Sequence, residues 1–583
     1  MSPLDWSIVI ALNGGIFVYG VVRSRETKTS ADWFLAGRTL PWWMIGLSLY
    51  ATVIDASDLV ADSGGTYGVG MSYLVANWVG VTGGWALLAN WIAVPMYRMG
   101  MYTNAEYLEA RFGLAARVVS ALIQALYRTL VLGIIATTLY LVLAIVGGWG
   151  AFAWWGVVAI AALATVYTAL GGLRSVAVTD ALQSLVMAAS SIALFLAAWG
   201  AVGGWDGMES RLDAHRAGLA TELLHVGSDD VSRQSVAGAA PAEVSRMELL
   251  GGVHDSEAEE IVTTTPAWLA ALAWLIIGLS YAIVNHTQSM RLFGARSEWD
   301  MRMAVVVSGV ILIGANFTNL TVGVMGRALY PDPSLMPLAA SLQVRDSVFP
   351  LLVSEVTSSG LRGLVVAGVV AACFSTFDSI GSTVPSLLAR DVYARLFVRD
   401  KDDSHYVMVS RALTPLVILG SFAFVPMLLQ ERGMLMVFLD WVGAFVVPLL
   451  AVYLLGSFTR VHRSSAAWGL AAGILYGSAK LLAPLAALRY GVAVLPPLLV
   501  NNYGSTVASL VVTAGTMLAV TALRGAEPTR EPRALDRRGW LRRSQVQAGA
   551  LAPSGPGRGA AAPALLGAGV AVIGAVLSFV IFW

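Results

Sequence analysis

Charged residues and cysteine are both scarce in this chain. Of its 583 residues only 13% are Asp, Glu, Lys or Arg, whereas 57% are hydrophobic and the mean hydropathy is +0.71. Soluble domains carry about 25% charged residues, so this composition predicts an all-α polytopic membrane protein. The single cysteine, Cys373, excludes a disulfide framework and a multi-thiolate metal site. The net charge of +1 argues against nucleic acid as a partner.

Sequence motifs for catalysis and for nucleotide binding are missing as well. The chain has no His-Glu-x-x-His, no Gly-x-Ser-x-Gly and no Gly-x-Gly-Asp followed by Tyr-Asp, so we predict that it is not an enzyme. It has no Gly-x-x-x-x-Gly-Lys-Ser/Thr motif to supply ATP energy and no channel filter sequence. The apolar run from Leu4 to Val22 has no basic region ahead of it and is long enough to span, so it predicts a first transmembrane helix rather than a signal peptide.

Apolar runs long enough to cross a bilayer recur along the chain, and we count fourteen. The predicted spans lie near residues 4–22, 41–70, 73–97, 115–146, 151–171, 175–200, 266–290, 303–330, 361–390, 405–429, 433–458, 465–487, 503–523 and 562–583.

Basic residues between these spans indicate the orientation. We take the N-terminus as outside and count basic residues in the first or last two turns of a span with the adjoining segment. The cytoplasmic segments then hold 26 of the 37 Lys and Arg, the outer segments hold nine, and only Arg128 and Lys480 lie deeper in spans. This asymmetry follows the positive-inside rule. It predicts a multi-pass protein of the cell membrane, embedded in the lipid bilayer, with both termini outside.

The spans and the polar segments between them suggest five regions. An extra helix and a cytoplasmic loop precede a first repeat, a loop of at most short helices lies outside, and a second repeat and further helices follow, with a basic cytoplasmic connector at 524–561. The predicted boundaries are 1–40, 41–200, 201–265, 266–460 and 461–583.

Two of the predicted spans are interrupted by polar residues. The second contains Asp55, Asp58 and Asp62 and continues into Ser63-Gly64-Gly65, and the seventh changes from apolar residues to Asn285–Ser289. Irregular backbone survives in a bilayer only where protein or a wet cavity surrounds it, and broken helices there expose carbonyls that coordinate Na+. The two spans are five apart, which predicts a five-plus-five inverted-repeat core whose first and sixth helices are broken.

Polar side chains also occur in other spans. Asp180, Ser375, Thr376 and Asp378 cost several kcal/mol each at membrane depth unless they are bound, so they are functional candidates. Ala372, Ser375 and Thr376 lie at i, i+3 and i+4 and therefore share one helix face. The structural alternative is that the two hydroxyls only bond back to their own helix or across to a neighbour.

Five segments resemble one known family, the solute:sodium symporters, in the order expected. The likeness covers roughly residues 30–460, and its motifs are DWFLAGR from Asp32, ATVIDASDLVADSGGTY from Ala51, YTALGGLRSVAVTDALQ from Tyr167, NHTQSMRLFGARS from Asn285 and AGVVAACFSTFDSIGSTVPSLLARDVYAR from Ala367.

This resemblance implies a sodium-coupled secondary active symporter that imports a small polar organic solute, such as a sugar or amino acid, by alternating access. Na+ is then the coupling ion, no organic cofactor is needed, and the monomer is the expected functional unit. Five neutral oxygens suit Na+. The implied ligands are the carbonyls of Ala51, Ile54 and Ala372 and the hydroxyls of Ser375 and Thr376.

Some members of this family hold a second cation one turn closer to the cytoplasm. The matching positions here are Asp180, Ser375, Asp378 and Ser379. Two nearby carboxylates would hold a cation more strongly or share a proton. The alternative is that Asp180 only guides the exiting ion or caps its helix.

Solute identity is not fixed by the sequence, but the broken helices point to the residues to inspect. Two interpretations of Asp55 stay open: it contacts a cationic solute or carries a proton, or it is paired with Arg128, Tyr281 or a backbone amide. The full set of solute-binding candidates is Asp55, Asp58, Tyr281, Asn285 and His286, with Asn77 and Trp441 behind them.

Two other functions remain open at this stage. A transporter-like membrane sensor or receptor would share the fold, and a proton-coupled symporter of a cationic amine would use Asp55 or Asp180 as its proton carrier.

Overall fold

The structure is a computed structural model that describes residues 1–24, 33, 35–236, 238–399, 401–429, 433–527 and 562–583. Parts of two predicted features, Asp32 and Phe34 of the first motif and 528–561 of the basic connector, lie outside the described residues.

The α-helices of the N-terminal half are α1 (Pro3–Ser24), α2 (Trp42–Val53), α3 (Ala56–Val69), α4 (Thr82–Leu87), α5 (Ala93–Arg98), α6 (Asn104–Phe112), α7 (Leu114–Ile145), α8 (Ala153–Val202), α9 (Gly204–His215), α10 (Leu219–Leu224), α11 (Pro241–Glu248), α12 (Ala267–Val284) and α13 (His286–Phe293).

The α-helices that follow are α14 (Glu298–Leu329), α15 (Val348–Val356), α16 (Leu361–Leu387), α17 (Asp403–Ser421), α18 (Val425–Leu428), α19 (Met434–Trp441), α20 (Val447–Phe458), α21 (Ser465–Tyr490), α22 (Pro497–Val500), α23 (Asn502–Arg524) and α24 (Ala562–Val576). Short π-helical turns join or extend several of them, at Ala76–Val81, Leu88–Ile92, Leu388–Phe397, Val442–Val446 and Leu577–Ile581. Turns of 3-10 helix lie at Ala36–Arg38, Gly70–Tyr73, Gly150–Phe152, Pro333–Leu335, Ala340–Leu342, Arg345–Ser347 and Phe422–Phe424.

The predicted helical membrane fold is confirmed. Within the described part of the chain, 12 helices are long and apolar enough to cross a membrane, or up to 13 with the bent pair Trp42–Val53 and Ala56–Tyr73 counted as one span. This is below the fourteen spans predicted from sequence. In the region of the predicted span 151–171, the described residues that meet the apolarity test form the shorter stretch Gly150–Val166, which includes the beginning of α8.

The long helix α8 contains both predicted spans 151–171 and 175–200. A straight helix of 50 residues would measure about 75 Å, more than twice the apolar thickness of a bilayer. Contacts with α1 show that the chain is not straight here. Trp149, just before α8, stacks on Trp6 near the beginning of α1, whereas Ser175 bonds to the carbonyl of Gly20 near the end of α1. Further along α8, Ser190 lies against Gly368 of α16. The neighbouring carbonyl, that of Ala367, accepts a hydrogen bond from Asn13 near the middle of α1. The chain therefore runs along α1 in one direction and then returns.

Both predicted helix breaks are present. Between α2 and α3, Ile54 and Asp55 leave helical geometry and the axis bends by 46°. Between α12 and α13, Asn285 is extended, with φ −66° and ψ 108°. The two breaks lie in the buried centre of the molecule, where α7 and α16 are almost wholly covered while α1, α23 and α24 lie at the periphery.

The segment 201–265 contains more structure than predicted. Besides α9, α10 and α11 it forms a three-stranded antiparallel sheet of order β1-β3-β2, made of Asp230–Ser235, Val253–Asp255 and Glu260–Thr265. Strand β3 pairs Thr265 with Asp230 of β1 and Val262 with Val253 of β2. Its run of β-branched residues, Ile-Val-Thr-Thr-Thr, favours a strand, and this signal was missed.

Candidate ion and solute site

The break between α2 and α3 leaves the last carbonyls of α2 without helical partners, and side chains of other helices meet them. Ser375 Oγ of α16 donates to the carbonyl of Ala51 at 3.0 Å. The Tyr281 hydroxyl of α12 donates to the carbonyl of Thr52 at 3.0 Å. The broken helix is thus held by one hydroxyl from each of two helices of the second predicted repeat.

The five residues predicted to bind Na+ are all buried in this region. The structure brings Ser375 against Ala51 across the bundle, and Thr376 Oγ1 bonds to the carbonyl of Ala372 one turn earlier in α16 at 3.0 Å. Ile54 lies at the break itself, with its amide donating to Tyr50. Both bonds are of the kinds anticipated as the structural alternative: Thr376 bonds back to its own helix, and Ser375 bonds across to a neighbouring one.

Asp180 lies beside the proposed Na+ ligands. Its Oδ1 accepts a hydrogen bond from Ser375 Oγ at 2.8 Å, and its Oδ2 accepts one from Ser48 Oγ of α2 at 2.6 Å. The Ser375 hydroxyl has one proton, which lies within hydrogen-bonding distance of both this carboxylate and the Ala51 carbonyl.

The same carboxylate forms an ion pair with Arg291 of α13. Arg291 Nη2 is 2.7 Å from Asp180 Oδ2 and also bonds the hydroxyl of Ser379. Nε donates to Ser48 at 2.7 Å, and Nη1 donates to the Thr287 carbonyl at 2.7 Å. The Arg291 guanidinium thus lies between Asp180 and Ser379, two residues predicted for a second cation site.

Arg291 follows directly after the predicted span 266–290 and was not among the predicted site residues. Its side chain is fully buried within the protein. A new helix, α13, begins directly after the break at Asn285. Arg291 is four residues after Thr287 and therefore lies on the same face of α13 as Thr287. A single basic residue six positions after a polar break was the available signal.

Asp378 has a partner of its own. Thr168 Oγ1 donates to Asp378 Oδ1 at 2.7 Å, and Asp378 Oδ2 has no hydrogen-bond partner among the described residues. Asp180 and Asp378 therefore face different groups in this structure, and a shared second cation remains a prediction.

A cavity adjoins the broken helix α3. Three of the predicted solute-binding residues, Asp55, Asp58 and Tyr281, line it. The other residues of its lining are Ser57, Ala61, Asp62, Tyr73, Val131, Ile134, Met434, Leu435 and Phe438.

Asp55 also caps helix α3. Its carboxylate accepts from the amide of Ser57 at 2.8 Å and from that of Asp58 at 3.4 Å, while Asp58 accepts from the Asp55 amide at 2.6 Å. This reciprocal arrangement is a capping box. The sequence left Arg128, Tyr281 or a backbone amide as internal partners of Asp55, and the structure shows hydrogen bonds to backbone amides.

Four predicted solute-binding residues lie outside the lining of this cavity. Asn77 bonds to Asn316 Oδ1 at 3.3 Å, and Trp441 packs on Phe424 and Phe445. Asn285 caps α13 through the amide of Thr287 at 3.0 Å. Neither ring nitrogen of the buried His286 has a hydrogen-bond partner among the described residues, and its amide donates to Gln124. Their roles in solute binding stay predictions.

One end of α3 is covered by the 3-10 turn Arg345–Ser347. Gly64 packs so closely there that a Cβ would lie 2.2 Å from Asp346 Oδ1 and 2.7 Å from Asp346 Cα. Asp346 Oδ2 accepts from the amide of Met434 at 2.8 Å, which ties the turn to a helix of the cavity wall. Burial raises the pKa of Asp346 to about 7.

Comparison with known proteins identifies the family of this chain. The family model for the sodium:solute symporter family matches residues 33–473. Sodium/glucose cotransporter 2 of Rattus norvegicus is 27% identical over 82% of this chain and 72% of that protein. Sodium/myo-inositol cotransporter 2 of Homo sapiens is 25% identical over 83% of this chain and 70% of that protein.

A solved structure has a similar fold. The substrate-bound, outward-open Na+-coupled sialic acid symporter superposes with a TM-score of 0.69 at 18% identity, covering 90% of this chain and 99% of that one. The chain belongs to the sodium:solute symporter family, as the motifs had suggested.

Proposed function

We propose that this protein is a secondary active symporter that takes up a small polar organic solute together with Na+ by alternating access. The observation that carries the proposal is the contact of Ser375 with the Ala51 carbonyl at the break of the first core helix. Family membership supports a transporter rather than an enzyme. Na+ is a transported substrate here, and each charge moved contributes about 2.3 kcal/mol per 100 mV of membrane potential.

The proposed Na+ ligands are the carbonyls of Ala51, Ile54 and Ala372 and the hydroxyls of Ser375 and Thr376. Such oxygens suit a hard monovalent cation. Both hydroxyls must turn their lone pairs from their present hydrogen-bond geometry toward the ion. Asp180 would stabilise the bound cation through Ser375, which already donates to its carboxylate.

The proposed orientation places both termini outside. It is supported by the distribution of basic residues along the sequence, which follows the positive-inside rule. Function as a monomer, and the absence of a nucleic-acid partner or organic cofactor, stay predictions from sequence.

The proposal is tested with purified protein in liposomes that have a defined interior. Uptake of radiolabelled glucose, myo-inositol, proline and tyramine is measured with NaCl outside and KCl inside, then with KCl on both sides. We expect at least one solute to accumulate above its external concentration only under the Na+ gradient. Liposomes without protein are the control for leak.

Two outcomes would contradict the proposal. Accumulation that continues in KCl and collapses with a protonophore would indicate proton coupling. If no solute accumulates and NaCl does not raise the thermal unfolding midpoint relative to KCl at equal ionic strength, the protein does not bind Na+ as proposed, and a sensor function becomes the better hypothesis.

A further inference from the structure

The cavity beside α3 has one strongly acidic wall. Asp55, Asp58 and Asp62 lie at the beginning and along one face of α3, three and four residues apart, and all three line the cavity. Tyr73 lies on the same wall. None of the twelve described lining residues is Lys, Arg or His.

Of these three carboxylates, Asp62 has one oxygen with unused hydrogen-bonding capacity, although its side chain also interacts with those of Asp58 and Tyr73. Asp55 accepts backbone amides, and Asp58 accepts the amide of Asp55. Asp62 is only 4% exposed, yet its Oδ2 has no hydrogen-bond partner among the described residues. A buried carboxylate oxygen without a donor is costly, so it points to a ligand that brings one.

The protein supplies too little positive charge to balance this wall. Arg128 is the basic residue near it, with its guanidinium 5.9 Å from the Tyr281 ring and within electrostatic reach of Asp55. Its three guanidinium nitrogens have no hydrogen-bond partner among the described residues, and it does not line the cavity. One arginine beside three carboxylates leaves an excess of acidic groups facing the ligand.

The opposite wall is apolar. Helix α7 contributes Val131 and Ile134, and helix α19 contributes Met434, Leu435 and Phe438. These side chains offer no hydrogen bonds to a ligand. A ligand that fits both walls has its polar donors at one end and an apolar body at the other.

Two other ligand classes fit these walls less well. A polyol has hydroxyl groups on every side, and those facing the apolar wall would lose their hydrogen bonds to water. A bound divalent metal would need a cluster of ligands, and no group of three or more His, Cys, Asp and Glu is placed to hold one in the described part of the chain.

We infer that this cavity binds a small organic ammonium compound, whose protonated amine donates hydrogen bonds to Asp62 and Asp58 while its aliphatic or aromatic body lies against Ile134, Leu435 and Phe438. The inference rests on the proposed symport function, since it assigns the solute class of that same site. Charge recognition comes from the acidic wall, and discrimination against hydrophilic solutes comes from the apolar wall.

The test compares amines with alcohols of nearly the same shape. The pairs are tyramine and tyrosol, isoamylamine and isoamyl alcohol, and glucosamine and glucose. Binding to the purified full chain in NaCl is measured by thermal shift and by calorimetry. We expect at least one amine to bind tenfold or more tightly than its partner, with glucosamine the weakest amine because its body is polar.

Variants locate the effect. Asp62→Asn keeps the side-chain shape but removes the charge, so amine affinity should fall about tenfold or more while alcohol affinity changes little. Asp58→Asn is the second variant if Asp62→Asn does not fold. Glu209→Gln, an exposed position on α9, is the matched control for loss of one negative charge and should leave binding unchanged.

Failure of this inference is distinguishable from failure of the symport proposal. If no amine binds more tightly than its alcohol, or if Asp62→Asn and Asp58→Asn leave amine affinity unchanged, the inference is overturned, even when glucose or myo-inositol is taken up with Na+. If the amine binds and requires Asp62 but its uptake ignores Na+, the solute class stands and the sodium coupling fails.

Discussion

Arg291 and Asp180 form a buried ion pair of 2.7 Å that joins α13, just after the second helix break, to α8 of the first predicted repeat. Both side chains are almost fully buried, and Ser48 and Ser379 complete the hydrogen bonds around them. Through Ser375 the pair is one hydroxyl away from the proposed Na+ site. The charge of Asp180 is therefore balanced by the protein in this structure, at the position where a second cation was predicted.

Removing one partner of this pair should destabilise the protein strongly. Arg291→Gln leaves the Asp180 carboxylate buried without its cation, which typically costs about 3–5 kcal/mol. The double variant Arg291→Gln/Asp180→Asn should recover part of this loss. Arg216→Gln, which breaks the more exposed pair with Glu222, is the control and should cost about 1 kcal/mol or less.

Thermal unfolding midpoints in detergent check this prediction. An Arg291→Gln variant as stable as the wild type, or a double variant as unstable as the two losses added together, would show that the two groups are not energetically coupled.

Loss of a hydroxyl at the proposed Na+ site should weaken Na+ binding. Ser375→Ala and Thr376→Ala each remove one of five proposed ligands, so the half-saturating Na+ concentration should rise several-fold while insertion is retained. Ser386→Ala is the matched control, because its hydroxyl donates to Thr383 within the same helix. Na+ titrations of the thermal midpoint measure the effect. Wild-type Na+ dependence in both well-inserted variants would show that the ligand assignment is wrong.

Asp55 should respond differently to two substitutions. Asparagine is as good an N-cap as aspartate, so Asp55→Asn should retain most stability, whereas Asp55→Ala loses the cap and about 0.5–2 kcal/mol. For an ammonium solute, Asp55→Asn should still reduce affinity, by roughly thirtyfold if the carboxylate contacts the charge. Unfolding and binding are measured on the same samples. Unchanged affinity and pH profile with Asp55→Asn would limit Asp55 to its structural role.

The turn that covers Gly64 should make stability depend on pH. Burial raises the pKa of Asp346 from about 4 in the unfolded chain to about 7, with Arg345 opposing the shift. The folded state therefore binds the proton more tightly, so this contribution to stability is present at pH 4 and is lost as pH rises to 7. Asp346→Asn mimics the neutral acid and should lack this loss.

Thermal midpoints at pH 5 and pH 8 decide the matter. We expect the unfolding midpoint of Asp346→Asn, relative to that of the wild type, to be higher at pH 8 than at pH 5. An equal shift of both proteins between the two pH values would assign the pH dependence to other groups.

Much of the fold could be predicted from local sequence. The length and apolarity of the spans give a helical membrane protein, because a bilayer leaves few other ways to satisfy the backbone. The breaks at Asp55 and Asn285 were predictable since each places polar side chains, able to cap the next helix, inside an apolar run. The sheet of 201–265 was missed because short pairing strands depend on neighbours distant in sequence.

What the sequence by itself determined is which segments cross the membrane, where two of them break, and which hydroxyls share a face with Ser375. Only the tertiary structure decided the partners: that Arg291 lies inside and pairs with Asp180, that Asp378 faces Thr168, and that Asp62 meets an apolar wall. The physical reason is that periodicity fixes the face of a helix on which a side chain lies. The helix that faces it, and so the charge or hydrogen bond it meets, depends on packing between residues more than a hundred positions apart.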